Sequence, residues 1–198
     1  MGLVRVDEPI SLAVSLSEAK KQCEVADSDT SHDTHITRLI NSAVADVERH
    51  TRRALVTQVW RMTLSGFPSC GRIILPRPPL QNIEAIEYVD DFGVVQTLPD
   101  TVYQVTLDAS PGYISPAFGE SWPATRPETL EAVSVTYTAG YGDVAAAVPE
   151  QFRNVVCELI AFRFMNRGDV DVGIPKHIKW SLDSLKCGAS YGYYGVKN

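Results

Sequence analysis

The 198-residue sequence is short of the features by which most function classes are recognised. Its four cysteines, Cys23, Cys70, Cys157 and Cys187, lie far apart and form no CxxC pair. Zinc ribbons and thioredoxin-like motifs are therefore not indicated, and reduced thiols are the natural reading for a cytosolic protein. No apolar run approaches the roughly 20 residues of a membrane helix. The N-terminus has no basic segment followed by an apolar one, so neither a span nor a signal peptide is expected and the chain is expected to stay in the cytosol. No block of like charge stands out. With 24 acids against 18 bases the net charge is -6, which argues against a broad basic face for nucleic acid, because Lys and Arg neutralising phosphates supply most non-specific affinity. There is no GxGxxG and no P-loop, and GYG and YGYYG lack the strand-to-helix setting and the lysine that phosphate binding needs. None of the four histidines, His32, His35, His50 and His177, has a GxSxG-like elbow beside it. Neither an enzyme nor a cofactor is expected.

What is present is the composition of a globular domain, 44% hydrophobic and 21% charged, long enough to bury a real core. The stretch 57–89 organises it. Val59, Arg61 and Thr63 alternate with Trp60, Met62 and Leu64, the period-two pattern of a half-buried strand. Gly66 and Pro68 break that run. A second strand is predicted over 72–75, closed by Pro76, Pro78 and Pro79, which cannot donate to a ladder. A third carries Ile83, Tyr88 and Val89 among carboxylates. Asp90, Asp91 and Gly93 then mark a hairpin turn into 94–98. Further strands are expected at 103–107, briefly around Ile114, and at 132–138, where Val133, Val135 and Tyr137 alternate with Ser134, Thr136 and Thr138. Between them a proline-spaced segment with Tyr113, Phe118 and Trp122 reads as an ordered loop packed on the sheet.

Three helices are legible. Ser15 with Glu18 three residues on fits a capping box and predicts a short helix to about Glu24. The polar loop 26–34 leads into a helix over about 33–50, where Ile36, Leu39, Ile40, Ala43, Val44 and Val47 recur at three- and four-residue steps. Pro149 opens a third helix, apolar on most sides from Phe152 to Met165 and expected to be central or to face a partner subunit. Asn166, Arg167 and Gly168 read as its stop. The fold class is α+β, with two or three main helices on an antiparallel sheet or small sandwich. Its divisions are an N-terminal arm (1–14), a core domain (15–168) and a C-terminal tail (169–198) with at most two short turns.

Two clusters invite a chemical reading, and each has a plainer one. Asp29, His32, Asp33 and His35 are of types that suit a divalent ion, but Asp33 serves equally as a helix N-cap and the loop has the composition of a helix entry. No metal site is assigned. Arg49, Arg52, Arg53, Arg61, Arg72 and Arg77 are candidates for a DNA-binding patch, yet the first three suit the negative end of a helix dipole and the others solvated strand faces.

Several unusual segments occur in order: SLSEAK, VERHTRRAL, TQVWRMTLSGFP, ILPRPPLQNIEAIEYVD, PAFGESWPATRP, VTYTAGYG and VPEQFRNVVCELIAFRFMNRG. Over roughly Ser15 to Gly168 the chain resembles the head-to-tail connector proteins of tailed bacteriophages, the neck adaptors beneath the portal. The resemblance implies a structural virion protein located in the neck and assembled in the host bacterial cytoplasm. It implies a dodecameric ring, contacts with the portal protein and with the next neck component (a stopper or tail-completion protein), and viral DNA passing through the lumen without sequence-specific binding. It implies no membrane partner. The tail is then expected to reach the portal, with Ile174, Pro175, Ile178, Trp180 and Leu182 as apolar anchors and Lys176, His177 and Lys179 meeting acidic partners. Tyr191, Tyr193 and Tyr194 follow as aromatic contacts. This chain runs on through 184–198, further than familiar members. Exposed aromatics on a tail favour docking; the alternative is that the tail folds back on its own domain. On the docking reading, removing 174–198 leaves the domain folded. Two other functions stay open: a head-completion or tail-terminator protein, and a DNA-binding accessory protein.

Overall fold

A computed structural model describes residues 1–166 and 174–187. Among these residues the chain forms eight β-strands and four α-helices, the α+β class expected, and it divides into two compact units, each built from separate stretches of sequence. The first holds Met1–Glu8 and Thr57–Gly140; the second holds Pro9–Val56 and Tyr141–Cys187.

The first unit is made of sheet. A five-stranded antiparallel sheet has the order β1 (Gly2–Asp7), β2 (Gln58–Leu64), β8 (Val133–Ala139), β4 (Leu80–Val89), β5 (Val95–Thr97). A second, three-stranded sheet has the order β3 (Ile73–Ile74), β7 (Tyr113–Pro116), β6 (Tyr103–Thr106). The clean alternation at 132–138 becomes the central strand β8. Trp60, Met62 and Leu64 of β2 stand opposite Tyr137, Val135 and Val133, which stand opposite Ile83, Ile86 and Tyr88 of β4, so one face of the sheet is an apolar block. The other face carries Arg61, Thr63, Ser134, Thr136 and Glu87. The phenol of Tyr137, wholly buried, donates to the Pro76 carbonyl at 2.9 Å, which supplies the partner that a buried hydroxyl requires. That carbonyl belongs to the proline-rich segment, whose Arg77 lies over the Trp60 ring at 5.2 Å. Of the aromatics expected to pack from the proline-spaced loop, Trp122 does so, stacked on Phe67 at 4.8 Å and 8°, and Tyr113 falls in β7, but Phe118 is fully exposed. The stretch 1–14, read as an arm, contains β1, paired with β2 along the sheet edge.

The second unit is helical. The helix α1 (Leu16–Gln22) begins with the expected capping box, in which Ser15 Oγ accepts from the Glu18 amide and Glu18 accepts from the Ser15 amide. The Ser15 hydroxyl, which donates to Glu18 Oε2 at 2.7 Å, and then the Ser15 amide hold the Glu18 carboxyl below its ordinary range. The helix α2 (Asp33–Thr51) buries Ile36, Ile40, Ala43 and Val47, the stripe read from spacing. It stops at Arg52, which takes the left-handed conformation at φ 59°. Buried Glu48 accepts from the Leu55 amide at 2.8 Å. The helix α3 (Glu150–Met165) is central to this unit, touching α1 and α2 and burying Phe152, Val155, Val156, Leu159 and Ile160.

One expectation is corrected here. Part of the tail is regular: α4 (Lys176–Ser184) is a nine-residue helix packed against α2 and α3. Its Ile178 and Leu182, four residues apart and so on one face, are 1% and 2% exposed within the core of the helical unit. Only two apolar residues make that stripe, with Trp180 off it, which is why the periodicity is faint in the sequence. Removing 174–198 would therefore open a core rather than trim an appendage.

Candidate docking surface

The terminal helix is where the residues singled out for docking meet a defined geometry. Pro175 precedes its first turn with φ -53°, and the Pro175 carbonyl accepts from the Lys179 amide at 3.0 Å; a residue without an amide costs nothing at that position. Three bonds pin the C-terminal half to the end of α2. The Cys187 amide donates to the Thr51 carbonyl at 2.9 Å, Arg53 Nε donates to the Leu185 carbonyl at 3.3 Å, and His50 Nε2 lies 2.7 Å from Asp183 Oδ1. The histidine contact is the main reason that the Asp183 carboxyl sits below its ordinary range.

Helical spacing sorts the predicted anchors into two sets. Ile178 and Leu182 point inward and hold the helix to its own unit, so as exposed contacts they are lost. Ile174, Lys176, His177, Lys179 and Trp180 are exposed, with Trp180 at 74%, and Pro175 is half-buried. The outer surface thus presents one large aromatic beside cationic side chains, a chemistry suited to an acidic partner with an apolar pocket. Tyr191, Tyr193 and Tyr194 lie outside the described residues. The signal that separates the two sets is the four-residue step between Ile178 and Leu182, legible only once the segment is known to be helical.

The other candidates disperse. Asp29 accepts from the Ser31 amide and hydroxyl, Asp33 pairs with Lys20 at 2.5 Å, and His32 and His35 sit against the Phe164 ring at 5.6 and 6.1 Å. Asp33 is the first residue of α2 rather than its cap, and His32 takes the cap position. Among the described residues no group of three His, Cys, Asp or Glu side chains is placed to hold a metal ion. Of the six arginines, Arg49, Arg52 and Arg53 belong to the helical unit and Arg61, Arg72 and Arg77 to the sheet unit. Arg49 pairs with Asp46 at 2.5 Å, and Arg72 lies over Tyr113 at 5.0 Å.

A cleft of about 440 Å³ opens between α1 and α3, lined by Glu18, Lys21, Gln22, Glu150, Arg153, Asn154, Cys157 and Glu158. Burial pushes the Cys157 thiol up to about 11, so it is a poor nucleophile near neutral pH. Arg153 is committed to Glu18 at 2.8 Å.

No family model and no curated protein sequence matches this chain. Solved structures do. A chain in the neck of an empty gene transfer agent (GTA) particle, computed with C6 symmetry, superposes with a TM-score of 0.82 at 21% identity. A chain in the virion of the native GTA particle gives 0.80 at 20%. A chain in the neck of the native GTA particle, computed with C12 symmetry, gives 0.76 at 21%. In each case the match covers 98% of this chain and 100% of the other, so this protein shares, end to end, the fold of a chain found in those particles.

Proposed function

We propose that this chain is a structural, non-enzymatic component of the neck of a phage-like particle: the adaptor that forms a ring beneath the portal, joins it to the next neck component and lets DNA pass. The observation that carries the reading is the end-to-end fold likeness to chains from neck structures computed with C6 and C12 symmetry. The ordered segments from SLSEAK to FRFMNRG, which resemble the adaptor family, support it independently. A net charge of -6 suits a conduit that does not hold DNA, and the partners found for Arg49, Arg53, Arg72 and Arg77 within their own units disfavour a DNA-binding patch.

In this reading the portal contact uses the outer surface of α4, with Lys176, Lys179 and Trp180, the preceding Ile174, and the tail residues Tyr191, Tyr193 and Tyr194, while Ile178 and Leu182 hold the helix in place. The test is co-sedimentation of the full chain with rings of its cognate portal protein, compared with a Trp180→Ala, Lys176→Ala, Lys179→Ala variant. Saturating binding by the wild type that the variant loses, at unchanged circular dichroism, is expected. Binding by neither protein would move the chain to a head-completion or tail-terminator role, and equal binding by both would remove α4 from the contact.

A further inference from the structure

Among the described residues the five-stranded sheet ends in two edge strands, β1 and β5, and the two are built differently. Natural sheets protect edges with charge, proline or a bulge, because an open row of amides and carbonyls recruits another strand. On β1 such protection is confined to its C-terminal half, where a register shift falls between Arg5 and Asp7 and Arg5 pairs with Glu8 at 2.8 Å; Gly2, Leu3 and Val4 carry neither charge nor proline and pair in regular register with β2. The sequence of β5 is Val95-Gln96-Thr97, without charge or proline, and all three residues are exposed.

The hairpin bonding shows which groups β5 offers. Leu98 N donates to Ile86 O at 2.7 Å and Asp90 N to Val94 O at 2.9 Å. Bonded pairs alternate with non-bonded ones in an antiparallel ladder, so the opposed pairs Val89/Val95 and Glu87/Thr97 are non-bonded. The amides and carbonyls of Val95 and Thr97 therefore point away from β4, to the open side. Their side chains share the polar face: Thr97 stands opposite Glu87, Glu87 opposite Ser134, and Ser134 opposite Thr63. On β1 that same face carries Val4, opposite Arg61, with Gly2 opposite Thr63 and, past the register shift, Asp7 opposite Val59. Val4 and Val95 are each 64% exposed.

We infer that β5 of one copy pairs with β1 of the next, in parallel, as the subunit contact of the ring; this rests on the neck-ring reading above. Every neighbouring pair in this five-stranded sheet is antiparallel, so β1 and β5 run in the same direction, and continuing the sheet into a neighbour sets them side by side with Val95 and the next copy's Val4 on one face. The contact uses two different surfaces, as a closed ring of many copies requires; β5 against β5 is self-complementary and stops at a dimer.

The experiment places Val4→Cys and Val95→Cys together in a Cys70→Ser background and treats the full chain, assembled on portal rings, with a short bis-maleimide. A ladder of covalent multimers from the double variant, and none from either single variant, is expected. Val95→Pro supplies a second readout. In the otherwise wild-type chain it deletes an outward amide without touching the β4–β5 ladder, the edge position where proline is tolerated, so loss of ring assembly on portal rings in electron micrographs, at unchanged circular dichroism, is expected. Portal binding without the 4–95 link, dimers from Val95→Cys alone, or wild-type assembly by Val95→Pro would each overturn the edge contact while leaving the neck reading standing. Multimers linked through 4–95 that ignore portal rings would support the contact and overturn the portal-adaptor reading.

Discussion

The sheet unit and the helical unit each gather two distant stretches of chain, but they use their terminal elements in different ways. In the sheet unit the terminal element is β1, an edge strand whose residues 4–7 are exposed; the apolar block of Trp60, Met62, Val135 and Tyr137 lies on the strands inside it. In the helical unit the terminal element is α4, which places Ile178 and Leu182 in the core. What a terminal segment contributes depends on the burial of its side chains, not on its place in the sequence.

The largest expected effect sharpens that contrast. Leu182→Ala removes a 2% exposed side chain and is expected to cost about 2–5 kcal/mol, whereas Val4→Ala on β1 stays within about 0.5 kcal/mol. Urea unfolding followed by far-ultraviolet circular dichroism measures both, and equal midpoints would break the comparison. Next in size, Tyr137→Phe leaves the buried Pro76 carbonyl without its 2.9 Å donor and is expected to cost about 1–3 kcal/mol. A neutral result would mean that the sheet unit does not depend on this bond.

The smallest effect belongs to the cap of α1. Ser15→Ala is expected to cost about 1 kcal/mol and to change the pH dependence. The Glu18 carboxyl is held below its ordinary range, chiefly by the Ser15 hydroxyl and amide. Its folded-state pKa is lower than its unfolded one, so its contribution is present above about the unfolded value and is lost as pH falls through the folded one. The variant should therefore lose less stability than the wild type on acidification across that window. Parallel curves for the two proteins would show that Ser15 does not set the Glu18 ionisation.

Much of the fold was legible because burial repeats at the period of the backbone. The stripe of α2 and the alternation of β8 were read directly from residue spacing, and the Ser15/Glu18 box marked the start of α1. The hairpin at Asp90–Val94 followed from turn chemistry. The candidate docking surface was only partly legible: its residue types were visible, but the division into inward Ile178 and Leu182 and outward Lys176, Lys179 and Trp180 was not. Two apolar residues four apart, among charges and after a proline, are compatible with a helix or an extended tail. Packing against α2 and α3 stabilises the helix, and a nine-residue helix is marginal alone.

By itself the sequence determined the local structure: which segments are strands or helices, where caps and turns fall, and that no long apolar run or basic block is present. Only the tertiary structure decided that β8, late in the chain, is the central strand, that β3 leaves its sequence neighbours for a second sheet, and that β5 is an edge strand among the described residues. It also decided that α4 belongs to a core. The reason is physical: local pattern depends on backbone period, but strand order and the occupant of a buried face are set by pairings between residues far apart in sequence, which no local window contains.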